Sequence, residues 1–230
     1  MFRFNTAKLI SYSKMITEGN KELNLLDQIA YCARVSNPVN QNNFLTSEKL
    51  CDYLLKNHHY SPFEMVNVCV EIETTRDISR QIIRHRSFSF QEFSQRYANP
   101  VEEKCGLGMT LRECRLQHPK NRQMSVDVGS ESTLVDKFNQ LQQELVDKQT
   151  EIYNFCIENN IAKEQSRVIL SEGLTKTRLY MNGTLRSWIH YIQIRTDKNT
   201  TQKEHCDVAL KIAECIKPVF PMIDKFVCKN

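Results

Sequence analysis

The chain has 230 residues and a mass of 27.0 kDa, enough to bury a core without disulfide or metal staples, which excludes a staple-dependent miniprotein. Hydrophobic residues make up 40% and charged residues 25%, with only 6 Gly and 6 Pro, a balance that excludes collagen-like and low-complexity architecture. Thirty-one Lys and Arg against 27 Asp and Glu leave a formal charge of +4, too small and too interspersed to single out a nucleic-acid binder.

A short strand is predicted around Lys8 to Tyr12. Asn24 to Val35 then sets Leu25, Leu26, Ile29, Cys32 and Ala33 at helical spacing and stops before Ser36-Asn37-Pro38. A second amphipathic helix opens near Thr46 or Ser47, either able to accept bonds from orphan backbone N–H groups. It carries Leu50, Tyr53 and Leu54 on one face and runs out at Asn57-His58-His59. From Val66 to Glu73 the residues alternate, with Val66, Val68, Val70 and Ile72 on one face and Asn67, Cys69, Glu71 and Glu73 on the other, which predicts a strand.

Thr74, with Asp77 three residues on, resembles a capping box, and Ile78, Ile82 and His85 follow at spacings of four and three. A short helix is expected from about Thr75 to Arg84. Ser87 to Tyr97, rich in Phe and Tyr, reads as extended and completes a strand, helix, strand unit. Asn99 to Val128 is expected to be irregular. Leu134 to Ile157 reads as one long helix whose Leu134, Phe138, Leu141, Leu145, Ile152 and Phe155 largely follow a four-three step, suited to core or subunit packing.

Helices at Ile161 to Leu170 and Thr184 to Ile194 flank a break at Gly173. A last one, Thr201 to Lys217, sets His205, Ala209, Ile212 and Ile216 on one stripe before Pro218 stops it. The expected fold class is α+β, a mixed sheet with a strand-helix-strand core unit and a helical C-terminal half. No repeat or linker interrupts it, so residues 1–230 are taken as a single domain.

Nine cysteines, at 32, 51, 69, 105, 114, 156, 206, 215 and 228, form an odd set with no C-x-x-C pair. Met1 to Asn20 lacks the order of an export signal, so free thiols and a cytoplasmic location are expected. No apolar run approaches the roughly 20 residues of a membrane span, and no membrane partner is expected. Cys105, Cys114 and His118 lack the spacing of a zinc finger, so no metal is expected. Gly106-Leu107-Gly108 lacks the third glycine and the preceding strand of a dinucleotide loop and reads as a turn.

The densest polar feature is Gln81-Ile82-Ile83-Arg84-His85-Arg86, running into Ser87-Phe88-Ser89-Phe90-Gln91-Glu92-Phe93-Ser94-Gln95-Arg96-Tyr97. Gln81 and Arg84 are three apart and share a helix face away from Ile78 and Ile82. Glu92, Ser94 and Arg96 follow at strand spacing as an acceptor, a hydroxyl and a guanidinium. Arg suits phosphate because its planar fork donates two parallel charge-assisted bonds. Arginines 80, 84, 86 and 96 would repel one another unless acidic groups or an anionic ligand intervened. The residues alone leave open a solvated basic face at a helix C-terminus, a module gripping nucleic-acid phosphates, and a site for an anionic small molecule.

The run R-H-R, seven residues, then S, here Arg84-His85-Arg86 through Ser94, resembles the signature of the flavin-dependent thymidylate synthase family. Ala33-Arg34-Val35-Ser36 is similar to that family's early A-R-V-S segment, and His59-Tyr60-Ser61-Pro62-Phe63-Glu64 to its H-x-[ST]-P-F-E segment. Leu185-Arg186-Ser187 through Arg195 resembles its late helix. Where many members carry His-Ala-Gln after the late arginine, this chain has Asn199-Thr200-Thr201-Gln202.

The resemblance implies a fold of the thymidylate synthase-complementing type and a homotetramer with active sites at subunit interfaces. It implies FAD as cofactor, NADPH as reductant, methylenetetrahydrofolate as carbon donor and dUMP as substrate, methylated to dTMP without a cysteine nucleophile. Nucleic acid is not an implied partner. By the same resemblance His59, Ser61, Arg84, His85, Arg86, Glu92, Thr184, Arg186 and His190 would contact FAD. Gln81, Arg84, Glu92, Ser94, Gln95, Arg96, Arg167 and Arg195 would hold the nucleotide, with Arg195 as the electrostatic catalyst at the pyrimidine.

Overall fold

The computed structural model describes residues 4–16, 22–102, 107–129 and 132–229. Strand β1 (Thr6–Tyr12) leads to helices α1 (Leu25–Ala33) and α2 (Ser47–Lys56), then a 3-10 turn at Ser61–Met65, β2 (Asn67–Thr75), α3 (Arg76–Ile82) and β3 (Phe88–Glu92). A hairpin of β4 (Arg115–Gln117) and β5 (Ser125–Asp127) precedes the long α4 (Ser132–Glu158). After it come α5 (Lys163–Ser166), β6 (Lys176–Thr184), α6 (Leu185–Arg195) and α7 (Lys203–Ile216).

The helix ends follow local chemistry. Asn24 caps α1 in a reciprocal box, its Oδ1 accepting from the Asp27 N–H at 3.0 Å while Asp27 Oδ2 accepts from the Asn24 N–H at 3.1 Å. Helices α2 and α4 both end with a residue in the left-handed region, His58 at φ 57° and Asn160 at φ 56°. In each the following amide reaches back five residues, His59 to the Leu54 carbonyl and Ile161 to the Cys156 carbonyl, both at 2.8 Å. That closes the last orphan carbonyls of each helix.

Val66, Val68, Val70 and Ile72 are fully buried, as their alternation requires, and pack with Trp188, Ile192, Val208, Ile212 and Ile216 of the last two helices in one core. At about 25 cal/mol per Å² of apolar surface removed from water, such a cluster is the main source of stability. The indole N–H of Trp188 donates to the Val68 carbonyl at 3.0 Å, which ties α6 to the sheet.

The sheet order is β1-β2-β6-β3, and every neighbouring pair is antiparallel. The α+β expectation holds, and the sheet expected to be mixed is antiparallel throughout among the described strands. β2 and β3 run the same way on either side of α3, but β6 is inserted between them, so the strand-helix-strand unit is split. Sequence reading gave no element to Lys176–Thr184, although its Thr177, Leu179, Met181 and Gly183 alternate as buried positions.

Other boundaries differ. The extended stretch ends at Glu92, and Ser94 to Tyr97 form a turn in which the Ser94 carbonyl accepts from Tyr97 and Ala98. The helix expected at Ile161 to Leu170 is only the short α5 plus a 3-10 turn at Arg167–Ile169, because Asn160 has already turned the chain. Thr74 is no cap: its hydroxyl donates to Asn5 Oδ1 at 2.9 Å, and α3 starts after Thr75. The irregular stretch 99–128 contains the β4-β5 hairpin. Cys105 and Gly106 lie outside the described residues; the described cysteines are free thiols. On α4, Leu134, Phe138, Leu141, Leu145 and Phe155 are 37–58% exposed, so this apolar stripe faces away from the chain's own core. Among the described residues no helix is long and apolar enough to cross a membrane.

Candidate active site

Helix α3 buries Ile78 and Ile82, so the chain leaves its end with side chains on both sides of the turn into β3. The His85 N–H is taken by the Ile82 carbonyl at 3.0 Å and the Phe88 N–H by the His85 carbonyl at 3.2 Å. In this tight turn Arg84 and Arg86 point outward and are exposed, while His85 between them is half-buried. Its ring meets Tyr191 edge to face, with centroids 4.9 Å apart.

Arg195, in the last turn of α6, donates from Nε to His85 Nε2 at 2.9 Å. A guanidinium can only donate, so Nε2 carries a lone pair and the neutral ring holds its proton on Nδ1. Burial, reinforced by the charges of Arg195, His190 and Arg84, lowers the His85 pKa to about 4. The pair therefore holds one fixed positive charge, on Arg195, at neutral pH.

Gln81, on the last turn of α3, is drawn toward the same cluster: its Oε1 lies 3.2 Å from His205 Nδ1. His205 is fully buried, and its Nε2 is 3.0 Å from the Tyr191 hydroxyl. Burial and the nearby Arg195 and His85 lower its pKa to about 3. Tyr191 and His205 escaped the sequence reading, which placed His205 on an ordinary apolar stripe. The one signal was a titratable ring in that stripe.

Glu92, at the end of β3, is turned inward. Its Oε1 accepts from Ser79 Oγ and Thr177 Oγ1, both at 2.9 Å, and lies 3.7 Å from Arg76 Nη1. Arg76 was also missed; burial lowers its pKa while the Glu92 charge opposes that, and the Arg167 charge reaches it as well. Glu92 and Arg167 thus belong to one charged group beside β6.

The turn after β3 docks on α5. Arg96 Nη2 is 3.9 Å from Glu164 Oε2, and Lys163 Nζ donates to the Tyr97 carbonyl at 2.8 Å. Ser94 is half-buried and its Oγ accepts the Arg96 N–H at 3.4 Å. Gln95 is buried and its Nε2 has no hydrogen-bond partner among the described residues. An unsatisfied buried amide costs about 1–3 kcal/mol, which a polar ligand group could recover.

A second group surrounds a cavity of about 540 Å³ lined by Tyr60, Ser87, Arg186, Ser187, His190 and Gln193, among others. Arg186 Nη1 donates to Glu64 Oε1 at 3.0 Å, and both residues line the cavity. Thr184 caps α6, its Oγ1 accepting the N–H of the lining residue Ser187 at 3.3 Å. His59 and Ser61, both exposed, flank Tyr60 in the turn after α2, and the His59 ring sits edge to face with Tyr53 at 6.3 Å. Within one chain, therefore, His85 and Arg195 meet directly, Gln81 reaches them only through His205, and Glu92 and Arg167 both act on Arg76. Arg186 and His190 share the cavity, while Arg84, Arg86 and His59 stand exposed.

Residues 20–222 match the family described as thymidylate synthase complementing protein. A probable flavin-dependent thymidylate synthase of Paramecium bursaria Chlorella virus 1 is 44% identical over 220 residues, 96% of this chain and 97% of its own. A flavin-dependent thymidylate synthase of Synechocystis sp. is 47% identical over 195 residues, 85% of this chain and 86% of that one. The crystal structure of a UMP/dUMP methylase from Streptomyces cacaoi, bound with 5-Br dUMP, superposes with a TM-score of 0.76 at 21% identity, over 96% of this chain and 93% of that one. At that identity the likeness establishes the fold.

Proposed function

The chain belongs to the flavin-dependent thymidylate synthase family, and from that premise we propose that it converts dUMP to dTMP by reductive methylation with a bound flavin. The flavin is FAD, NADPH is the reductant and methylenetetrahydrofolate gives the carbon. The working unit is a homotetramer of the 230-residue chain, each copy a single domain, with sites completed across subunit interfaces.

The observation that carries this reading is the pairing of Arg195 with a neutral His85 at 2.9 Å. Methylation of a pyrimidine at C5 requires negative charge to develop on the ring. A guanidinium held beside N3 and O2 stabilises that charge without reorganising. Only the Nε–H of Arg195 is engaged among the described residues, which leaves the Nη hydrogens for the ligand. Because His85 stays neutral it orients Arg195 without adding a second charge.

The residues also fit the flavin. Neither Arg84 nor Arg86 has an ion-pair partner among the described residues, so both guanidiniums are available to a diphosphate. Glu92 is anchored by Ser79 and Thr177, and the cavity between Tyr60 and His190 is roomy enough to admit part of a flat ring system. When bound and reduced, the flavin supplies hydride. The protein's task is then to orient two flat rings and exclude water.

The thiols support chemistry without a cysteine nucleophile. Burial pushes Cys51 and Cys215 up to about 12 and raises Cys206, so these sulfurs stay protonated and poorly nucleophilic. The exposed apolar stripe of α4 supports assembly, since a monomer leaves five large side chains on it in water.

Purified protein is expected to show oxidised-flavin absorption and, once reduced anaerobically, to convert dUMP to dTMP in a single turnover with methylenetetrahydrofolate. Flavin without dTMP would leave a plain flavoprotein oxidoreductase. A colourless protein that binds nucleic acid with steep salt dependence would overturn the whole reading.

A further inference from the structure

The geometry points to a one-way chain of hydrogen bonds that fixes the amide of Gln81, with His205 as the positioning residue at its inner end. The functional half rests on the proposed placement of Gln81 against the nucleotide; the direction of the chain follows from valence and from the full burial that keeps His205 neutral.

The chain starts at Glu204, whose side chain is fully buried between Arg112, 3.3 Å away, and Arg115, which donates to its other oxygen. Burial acts to raise the Glu204 pKa, but the Arg115 hydrogen bond and the Arg112 charge outweigh it and the net shift is downward. Glu204 is therefore an ionised group that can only accept. Gln202 lies 3.0 Å from Glu204 Oε2 and must turn its NH₂ toward it, which points Gln202 Oε1 away.

That oxygen is 2.7 Å from Gln81. A carbonyl oxygen accepts, so Gln81 presents Nε2 to Gln202 and Oε1 to His205 at 3.2 Å. Oε1 in turn needs a donor, so His205 carries its proton on Nδ1. The neutral ring then has its lone pair on Nε2, which the Tyr191 hydroxyl fills at 3.0 Å. Each polarity is imposed by the preceding bond: Tyr191 donates to His205, His205 to Gln81, Gln81 to Gln202 and Gln202 to Glu204.

A free glutamine amide can flip and exchange donor for acceptor. Here a flip would set N–H against N–H at His205 and oxygen against oxygen at Gln202. Gln81 thus offers a ligand one remaining N–H and one remaining lone pair in a fixed order, the kind of preorganisation that lowers the cost of binding. The four residues that fix it come from the start of α7 and from α6, not from α3 itself.

In ¹⁵N-histidine-labelled wild-type protein, His205 is expected as a neutral ring protonated at Nδ1, the minor tautomer of free histidine. A ring protonated at Nε2, or an imidazolium, overturns the chain. Equilibrium binding of dUMP to the flavin-loaded protein gives the second readout. His205→Asn keeps a donor near the Nδ1 position and is expected to bind dUMP nearly as wild type does. His205→Gln keeps only a group near Nε2 and is expected to weaken binding about tenfold, the loss of one good hydrogen bond. Wild-type binding by His205→Gln, with weakened binding by Gln81→Ala, refutes the positioning role and leaves Gln81 in the nucleotide site. Unchanged binding by Gln81→Ala refutes both the placement and the positioning.

Discussion

Arg195 and His85 meet at 2.9 Å although one ends α6 and the other follows α3, and a neutral imidazole is the partner that aims the guanidinium. Removing the guanidinium is expected to affect chemistry more than flavin retention. Arg195→Ala should slow dTMP formation by about 10²- to 10³-fold, the usual effect of deleting one preorganised donor, with flavin content near wild type. Arg86→Ala, on the exposed turn, should chiefly release flavin. Single-turnover rates and flavin absorbance measured on both variants check this; parallel loss of both properties in both variants would contradict the assigned roles.

The half-buried His85 and the buried His205 make stability depend on pH. His85 titrates near 4 and His205 near 3 when folded, against 6.5 for a free histidine. Between about pH 6.5 and these values the unfolded chain binds protons that the folded chain refuses. Their contribution is full above about pH 6.5 and is lost as pH falls through that window. The thermal midpoint should drop between pH 7 and pH 5, and drop less in His205→Gln. Equal slopes in the two proteins would exclude His205 as a source.

Gly183 pairs with Phe88 across β3 and β6, and a Cβ added there would come within 2.4 Å of the Phe88 ring. That ring is itself held edge to face on Trp188 at 4.7 Å, so it has little room to withdraw. Gly183→Ala should cost about 1–3 kcal/mol, as overpacking in cores generally does. Urea unfolding of Gly183→Ala, Phe88→Leu and the double variant should show coupling between the two sites. Simple additivity would mean that the ring is not the obstacle.

The stripe on α4 predicts how assembly fails. Leu141→Glu combined with Leu145→Glu places two charges on a face that is apolar and half exposed in the single chain. Sedimentation should show loss of the proposed tetramer, with dTMP formation falling in step, as sites completed between subunits would require. A tetramer that persists would move the interface elsewhere.

The sequence made some of this plain and hid the rest for identifiable reasons. The valine alternation of β2 and the helical spacing that begins at Asn24 depend on neighbours in sequence, and both elements appear where expected. β6 was missed because polar Thr177 and Gly183 on its inward face and the aromatic Tyr180 on its outward face dilute its alternation; only pairing between β2 and β3 makes it a strand. In the site, the arginine-rich turn was legible as a motif, and its resemblance named the chemistry. The network of Gln81, Tyr191, Glu204 and His205 was not, since its members come from α3, α6 and α7 and meet only after those helices pack together. Ser94 and Arg96 were assigned to a strand face because phenylalanines at 88, 90 and 93 prolong the look of a strand past Glu92.

The late insertion of β6 has a cost during biosynthesis. A nascent chain that has emerged only as far as α5 carries β2 and β3 with no hydrogen-bonded neighbour between them, two bare backbone edges of the kind that pair with other chains. The sheet can close only once Lys176–Thr184 has left the ribosome, through contacts far apart in sequence, which form slowly. The sheet is thus completed only after β6 emerges, and until then those two edges are the surface a holdase chaperone would cover.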